Sequence, residues 1–320
     1  MNILITGCAG FIGYHLTKSF LKYKKVNVFG IDNLNSYYDV KLKKNRLKLL
    51  KNLNTNFKFQ KIDIANLRKL SLFFKKNKIN YVFHLAAQAG VRYSIIKPEK
   101  YFDSNMIGFF NILECSRQNK INHLVFASTS SVYGKSNKFP LKEDTNTDRP
   151  LSFYAATKKS NEVMAYSYSN IYNLPCTGVR FFTVYGPNGR PDMALYLFAD
   201  LILKSKKINL FNKGLHERDF TYIDDVISAL VKLIKKPSKK NPPFEIFNIG
   251  NGKPQKLKKF ILAIERSLKK NAKRKNFPIQ KGDVIKTHAD ISKLKKAIKY
   301  QPKTDIEDGI KNFIDWFLKK

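Results

Sequence analysis

The sequence predicts an α/β protein with a doubly wound, parallel Rossmann-type sheet and a smaller, discontinuous C-terminal α/β domain. Short β-rich runs alternate with amphipathic stretches through residues 1–190, as in parallel sheets wound by right-handed crossovers. Two of these runs, Tyr81–Ala87 and Leu124–Ala127, are nearly all apolar, as strands buried on both faces are. A glycine-rich turn also follows the first run and opens the first helix.

The elements follow in order from this alternation. The predicted strands of the first part are Asn2–Thr6, Val26–Asp32, Phe57–Asp63, Tyr81–Ala87, Leu124–Ser128 and Thr177–Phe182. The predicted helices between them are Ile12–Leu21, Leu67–Asn77, Ser104–Asn119 and Tyr154–Tyr172. Beyond Pro187 the pattern loosens into two helices, Met193–Leu203 and Asp224–Ile234, and one more strand, Phe244–Ile249. The lysine-rich remainder is typical of short helices joined by Pro/Gly loops.

The 320-residue chain is strongly basic, with 60 Lys and Arg against 24 Asp and Glu and a formal charge of +36. Of the 60 cations 50 are lysines scattered in twos and threes, whereas bidentate phosphate and base recognition relies on arginine. A solvated, compositionally biased surface is the favoured interpretation, and a basic patch for a polyanionic partner is the alternative. We expect no nucleic-acid partner.

The three cysteines are far apart and in no CxxC spacing, which argues against a disulfide framework or a zinc site. No metal is therefore expected. The chain begins directly with a strand-like run, and no apolar stretch approaches the roughly 20 residues of a membrane span. These observations predict a cytoplasmic protein without membrane association.

The glycine-rich turn runs Gly7-Cys-Ala-Gly10-Phe11-Ile12-Gly13. Glycines at such a turn let the backbone approach a pyrophosphate, which the N–H groups and the helix dipole hold. The spacing is GxxGxxG, and an ordinary strand-to-helix turn is the alternative. Asp32 ends the second strand, where a carboxylate can accept both ribose hydroxyls and repel a 2′-phosphate. The two features together predict NAD rather than NADP.

A second group of residues has the chemistry of a general base. Tyr154 and Lys158 lie four residues apart, on one face of a predicted helix, and a nearby cation lowers the phenol pKa from its usual value of about 10. Thr129, Ser130 and Ser131 follow a buried strand, at the edge where doubly wound folds bind ligands. A chance Tyr/Lys spacing and a simple strand-end turn are the alternatives.

Taken together, these motifs resemble the extended short-chain dehydrogenase/reductases, and among them the NAD-dependent UDP-glucuronate 4-epimerases. The quoted stretches are Asp32–Asp39, Ala86–Ser94, Arg180–Met193, Arg218–Asp225, Gly282–Val284 and Ala289–Asp290. The resemblance implies an NAD-binding domain, 1–186 plus 219–252, and a UDP-sugar-binding domain, 187–218 plus 253–320. It also implies a homodimer formed through the Ser104–Asn119 and Tyr154–Tyr172 helices.

The resemblance further implies roles for individual residues. Tyr154, assisted by Lys158 and Thr129, would remove the sugar 4-hydroxyl proton while C4 hydride passes to NAD, and a 4-keto intermediate would turn over before hydride returns. The residues implied to bind the cofactor are Gly7, Gly10, Phe11, Ile12, Gly13, Asp32, Asn33, Asp63, Ile64, Leu85, Ala86, Ala87, Asn105, Tyr154 and Lys158. Those implied to bind the UDP-sugar are Arg92, Thr129, Ser130, Ser131, Thr183, Arg190, Arg218 and Asp283.

The implied substrate is an acidic sugar. Thr183 stands where many related epimerases carry Asn, and Arg190 suits a carboxylate. Ser130 and Ser131 stand where related 4,6-dehydratases and uronate decarboxylases carry acidic groups. A 4-epimerase of a neutral UDP-hexose is the alternative enzyme, and a basic nucleic-acid-binding protein is the alternative outside enzymes. Gln280 falls where some relatives place a phosphate-binding Arg, which leaves part of the diphosphate contact open.

Overall fold

The structure, a computed structural model, describes residues 1–53, 56–280 and 282–320. Its strands are β1 (Asn2–Thr6), β2 (Asn27–Asp32), β3 (Phe57–Lys61), β4 (Tyr81–His84), β5 (His123–Thr129), β6 (Cys176–Phe181), β7 (Thr183–Tyr185), β8 (Lys207–Phe211), β9 (Glu217–Arg218), β10 (Phe220–Tyr222), β11 (Phe244–Ile249), β12 (Gln255–Lys256) and β13 (Lys273–Phe277). Its α-helices are α1 (Phe11–Phe20), α2 (Val40–Leu53), α3 (Leu67–Asn77), α4 (Tyr93–Ile96), α5 (Pro98–Tyr101), α6 (Gly108–Gln118), α7 (Phe153–Tyr172), α8 (Ala194–Leu203), α9 (Ile223–Leu233), α10 (Leu257–Leu268), α11 (Ser292–Ile298) and α12 (Ile306–Leu318).

Seven strands form the large sheet in the order β11-β6-β5-β4-β1-β2-β3, which confirms the predicted doubly wound α/β class. β1 pairs in parallel with both β2 and β4, so the strand order reverses at β1. Folds of this type bind ligands beyond the carboxyl ends of the strands at such a reversal. Most of the predicted cofactor residues lie at or just after the ends of β1, β2, β3 and β4.

The core of this sheet explains why its strands are so apolar. Ile3, Leu4 and Ile5 of β1 are fully buried, as are Val82 of β4 and Leu124 of β5. Each side chain of this size contributes roughly 1.5–3 kcal/mol on burial. Helices α3 and α6 close one side of the cluster with Phe74, Phe109 and Ile112. The packing fixes where each strand ends, and the functional residues follow those ends.

Several local predictions differ from the structure. Strand β3 ends at Lys61 rather than Asp63, and the lysine-rich remainder, predicted as short helices and loops, also contains strand β13. Strand β4 ends at His84 rather than Ala87, where the ladder to β1 gives way to side-chain bonds: the Thr6 hydroxyl accepts from the N–H groups of both Leu85 and Ala86. A π-helical turn, Phe102–Ile107, precedes α6 where a single helix was predicted. Helix α2 was missed because its lysine-rich sequence obscures the periodicity of its buried face.

The chain divides into two units. The first comprises Met1–Gly134, Asn146–Arg180 and Ile227–Phe247, and the second comprises Lys135–Thr145, Phe181–Val226 and Asn248–Lys320. These ranges differ from the predicted domain ranges at 135–145, 181–186, 219–226 and 248–252.

Two sets of contacts explain the difference. β7 pairs with β10 in a separate small sheet, and β9 pairs with β12 in another, which places these short strands in the second unit. The backbone bond from Leu141 to the His288 carbonyl likewise ties residues 135–145 to that unit. None of the described helices has the length and apolarity to cross a membrane.

Candidate active site

The glycine-rich turn after β1 is built without room for side chains. Gly7 has a φ of +71°, and a Cβ there would lie 2.8 Å from the Ala86 backbone nitrogen. A Cβ on Gly13 would overlap the Gly7 carbonyl oxygen. Helix α1 begins after Gly10, so Phe11, Ile12 and Gly13 form its first turn. The turn therefore exposes backbone N–H groups of a helix start, which suits a pyrophosphate.

Asp32 at the end of β2 is held by the backbone. One carboxylate oxygen accepts from the Leu34 N–H at 2.8 Å and the other from the Ala9 N–H at 3.3 Å. Burial raises the pKa of this carboxyl, while the two N–H donors and the cations Lys43 and Arg46 act in the opposite direction. Each oxygen keeps a lone pair for a further donor, as a ribose diol requires.

Asn33 and Asp63 lie side by side, because the Asn33 amide donates to the Asp63 carboxylate at 3.0 Å. Ile64 is buried, and its carbonyl accepts from Asn111 of α6 at 2.9 Å. The ends of β2 and β3 therefore bring Asp32, Asn33, Asp63 and Ile64 to one edge of the sheet, where the sequence predicts cofactor contacts.

The segment after β4 is fixed by Asn105. Its side chain accepts from the Gln88 N–H at 2.9 Å, donates to the Gln88 carbonyl at 3.0 Å and donates to the Thr157 hydroxyl at 3.0 Å. Asn105 thus links the segment that follows Leu85, Ala86 and Ala87 to helix α7. Sequence reasoning selected Asn105 by resemblance but missed Gln88 and Thr157, although Thr157 directly precedes Lys158.

Thr129, Ser130 and Ser131 form a tight turn at the end of β5. The Thr129 hydroxyl accepts from the Ser131 N–H at 3.2 Å and lies 3.3 Å from the Ser131 hydroxyl. Thr129 is 7% exposed, and the two serines are half-buried. The turn thus groups three hydroxyls, which can bind the hydroxyl groups of a sugar.

Helix α7 carries Tyr154 and Lys158 one turn apart. Ser152 caps the helix by accepting from the Ala155 N–H at 3.2 Å, which places Tyr154 in its first turn. The Lys158 ammonium is buried and donates to the Ala127 carbonyl of β5 at 3.0 Å. Burial lowers the pKa of Lys158 to about 8. Lys158 therefore links the helix that carries Tyr154 to the strand that carries Thr129, and its ammonium gives up a proton more readily than that of an exposed lysine.

Thr183 and Arg190 belong to the second unit. Thr183 begins β7, and its N–H donates to the Asp219 carbonyl at 3.1 Å. Arg190 forms a bidentate pair with Asp192, at 3.0 Å from Nε and 2.6 Å from a terminal nitrogen. The sequence predicts that the Arg190 guanidinium binds a ligand carboxylate, and in the structure it binds the carboxylate of Asp192. The contact with Asp192 was not predicted.

Arg218 and Asp283, predicted separately, are direct partners in the second unit. Their ion pair measures 2.7 Å, and Arg218 also donates to the Ile285 carbonyl at 2.9 Å. The neighbouring Asp219 is fully buried and accepts from the N–H groups of Asn251, Gly252 and Ala289 at 2.6–3.0 Å. Asp219 thereby fixes the strand that carries Arg218. The sequence analysis did not single out Asp219, although it lies inside the stretch Arg218–Asp225 that carries the family resemblance.

Arg92 lies exposed ahead of α4 in the first unit. Cys8 lies inside the glycine-rich turn, where burial raises the pKa of its thiol well above the usual range. Such a thiol is a poor nucleophile, because the thiolate is the reactive form. Cys8 is fully buried and packs the turn.

The first unit fits NAD in two observations. The overlap that a Gly13 side chain would cause shows a backbone cradle, and Asp32 offers a carboxylate to a ribose diol where a 2′-phosphate would meet like charge. The residues that would hold the adenosine and pyrophosphate groups are therefore those of the glycine-rich turn, Asp32 and Asn33.

Comparison with known proteins agrees with this geometry. The model of the NAD-dependent epimerase/dehydratase family matches residues 3–250. A UDP-glucuronate 4-epimerase of Thermodesulfobacterium geofontis is 45% identical, with 98% of this chain and 95% of the relative covered. The crystal structure of a UDP-glucuronic acid 4-epimerase from Bacillus cereus, in complex with UDP-glucuronic acid and NAD, has a TM-score of 0.93 at 35% identity over 100% of this chain and 99% of that one. A UDP-glucose 4-epimerase from Thermotoga maritima, with UDP-glucose, has a TM-score of 0.90 at 31% identity over the same shares.

Proposed function

Because the chain belongs to the NAD-dependent epimerase/dehydratase family, we propose that it inverts C4 of UDP-glucuronate to give UDP-galacturonate, with Tyr154 as the base. The observation that carries the proposal is the arrangement at the end of β5. Lys158 of α7 binds the Ala127 carbonyl, and the Thr129 hydroxyl turn begins two residues later. This hydrogen bond links helix α7, which carries Tyr154, to the end of strand β5, which carries Thr129.

The proposed roles follow from what each group can do. Tyr154 takes the proton of the sugar 4-hydroxyl and later returns one to the same oxygen, and the Lys158 ammonium stabilises the phenolate. The hydroxyls of Thr129 and Ser131 orient that oxygen by hydrogen bonding. Bound NAD supplies a hydride acceptor and donor, so the reaction needs no net oxidant.

A uronic acid substrate imposes one further requirement. When C4 carries a carbonyl group, the sugar is a β-keto acid, and it loses CO₂ fastest when the carboxylate bond aligns with the carbonyl π system. Arg190 and Thr183 would hold the carboxylate in another orientation, since a guanidinium fork binds carboxylates bidentately. Ser130 and Ser131 offer no acid or base that could expel water or promote decarboxylation.

The proposal is tested by supplying purified protein with UDP-glucuronate and following the sugar H4 resonance by proton NMR. We expect UDP-galacturonate to accumulate to an equilibrium mixture, without UDP-pentose or CO₂. UDP-pentose as the main product would indicate a decarboxylase, and no new product with NAD supplied would contradict the proposal.

A neutral UDP-hexose is the second candidate substrate, and the similarity to the Thermotoga maritima UDP-glucose 4-epimerase supports it. The same NMR assay with UDP-glucose separates the two candidates. A kcat/KM for UDP-glucose equal to or above that for UDP-glucuronate would favour the neutral sugar. The choice depends on Thr183 and Arg190, because the hydroxyl turn on β5 can serve either sugar.

Replacing Asp32 with serine should weaken NAD binding by about tenfold or more, because a charged acceptor of the ribose hydroxyls is lost. The ratio of the affinity for NAD to that for NADP should also fall, since the charge that repels a 2′-phosphate is removed. Isothermal calorimetry of the nucleotide-free protein with each dinucleotide measures both effects. The exposed Asp39→Asn is the matched control and should bind NAD like the wild type. If Asp32→Ser keeps the wild-type ratio of NAD to NADP affinity, Asp32 does not bind the adenosine ribose.

We also propose a homodimer formed through the face of the Phe102–Ile107 turn, α6 and α7. This face exposes Phe102, Phe110, Val163 and Tyr166 at 44–57%, an apolar surface that a second copy would bury. Light scattering should give twice the mass of one chain. Phe110→Glu combined with Val163→Glu should give monomers, whereas Leu72→Glu on α3 should not. A monomeric wild type would contradict the proposal.

A further inference from the structure

A buried ion pair joins α7 to β6. It lies near the turn formed by Thr129, Ser130 and Ser131, here called the hydroxyl turn. Arg180 of β6 and Glu162 of α7 form two bonds of 2.8 Å, and both side chains are 3% exposed. The pair lies wholly within the first unit. None of the roles proposed above involves either residue.

The pair contacts both ends of the segment that carries Thr129, Ser130 and Ser131. Before the segment, the Ser128 hydroxyl donates to the Glu162 carboxylate at 2.6 Å. After it, the Tyr133 ring lies 4.7 Å from the Arg180 guanidinium carbon, within cation–π distance. One ion pair thus fixes the residues that flank the hydroxyl turn.

The same pair also fixes the helix that carries the base. Glu162 follows Lys158 by one helical turn, and Lys158 binds the carbonyl of Ala127, the residue before Ser128. Helix α7 is therefore attached to consecutive residues of β5 by two consecutive turns. Tyr154 lies one turn before Lys158 on the same helix. The contacts form a rigid link between the Tyr154 helix and the Thr129 turn.

Stability alone does not account for such a pair. Removing two charges from water costs several kcal/mol per ion, and an apolar pair of similar volume is often at least as stabilising. What a bidentate guanidinium–carboxylate pair supplies is a defined geometry. The reaction rate falls steeply when reacting groups are displaced by about 1 Å.

We propose that Glu162 and Arg180 are positioning residues that hold the Thr129–Ser131 hydroxyls at a fixed distance from Tyr154, an inference that rests on the proposed epimerase function. The pair touches neither reacting atoms nor cofactor in this role. Its loss should therefore lower kcat and leave substrate and NAD binding nearly unchanged, because the binding groups stay present while their alignment is lost.

The variants Glu162→Gln and Ser128→Ala test this. Both should lower kcat for UDP-glucuronate by about tenfold, with KM and NAD affinity within about twofold of the wild type. Ser128→Ala removes only one hydroxyl and so spares the ion pair and the fold. The matched control is Glu265→Gln, since Glu265 is also buried and binds Arg274 through both oxygens at 2.9 Å. It should retain the wild-type kcat.

Hydrogen exchange of residues 129–133, followed by mass spectrometry, supplies a readout that needs no substrate. We expect exchange there to rise at least about tenfold in Glu162→Gln and Ser128→Ala and to stay unchanged in Glu265→Gln. Unchanged exchange in both variants would overturn the inference, as would wild-type kcat in both when the wild type epimerises. A wild type without epimerase activity would contradict the proposed function, and the exchange data would still decide on the positioning role.

Discussion

Tyr154→Phe should lower kcat for epimerisation of UDP-glucuronate by about 10³-fold, because the only atom removed is the oxygen that takes and returns the proton. The melting temperature should stay near the wild type, since Tyr154 is half-buried and its ring, in edge contact with Tyr101 at 6.0 Å, is retained. Product formation is measured by NMR over hours to quantify the residual rate.

The control for this prediction is Tyr23→Phe, which removes a phenolic oxygen from an exposed position in the same unit and should leave kcat unchanged. Lys158→Met should also lose activity, because the buried ammonium that favours the phenolate is lost. A Tyr154→Phe variant that retains more than a tenth of the wild-type kcat would show that another group is the base.

The sheet could be predicted from the sequence because its physical signals are local. Nearly continuous apolar runs predicted β4 and β5, and the glycine spacing after β1 predicted the turn that packs against Ala86. Helix α2 could not be predicted in this way, because its lysines obscure the apolar periodicity that its buried side shows only in the fold.

The sequence predicts individual site residues, but it does not predict the contacts between them. Arg218 and Asp283 are 65 positions apart, and only the fold shows their ion pair. The same holds for Glu162 and Arg180, whose pairing depends on α7 packing against β5, the neighbour of β6 in the sheet. A motif indicates which side chains carry chemistry, whereas their positions relative to one another depend on contacts distant in sequence.

Arg190→Leu should lower kcat/KM for UDP-glucuronate by about 10²-fold, because the sugar carboxylate loses its bidentate partner. Turnover of UDP-glucose should change by less than about threefold, since a neutral C6 group does not need a cation. The fraction of UDP-pentose among the products should rise, because a loosely held carboxylate can align its bond with the C4 carbonyl π system and leave as CO₂. Equal losses with both sugars would contradict a carboxylate-specific role.

The Asp192 contact makes Arg190→Lys an informative variant. Asp192 engages Nε and one terminal nitrogen, the edge of the fork that lies along the side chain. A guanidinium presents five N–H donors in a plane, so it can hold Asp192 and a ligand carboxylate at the same time. An ammonium is a point charge without such a fork, and beside Asp192 it would be neutralised by that residue. We therefore expect Arg190→Lys to lose nearly as much kcat/KM for UDP-glucuronate as Arg190→Leu, whereas near-wild-type activity would show that charge alone suffices.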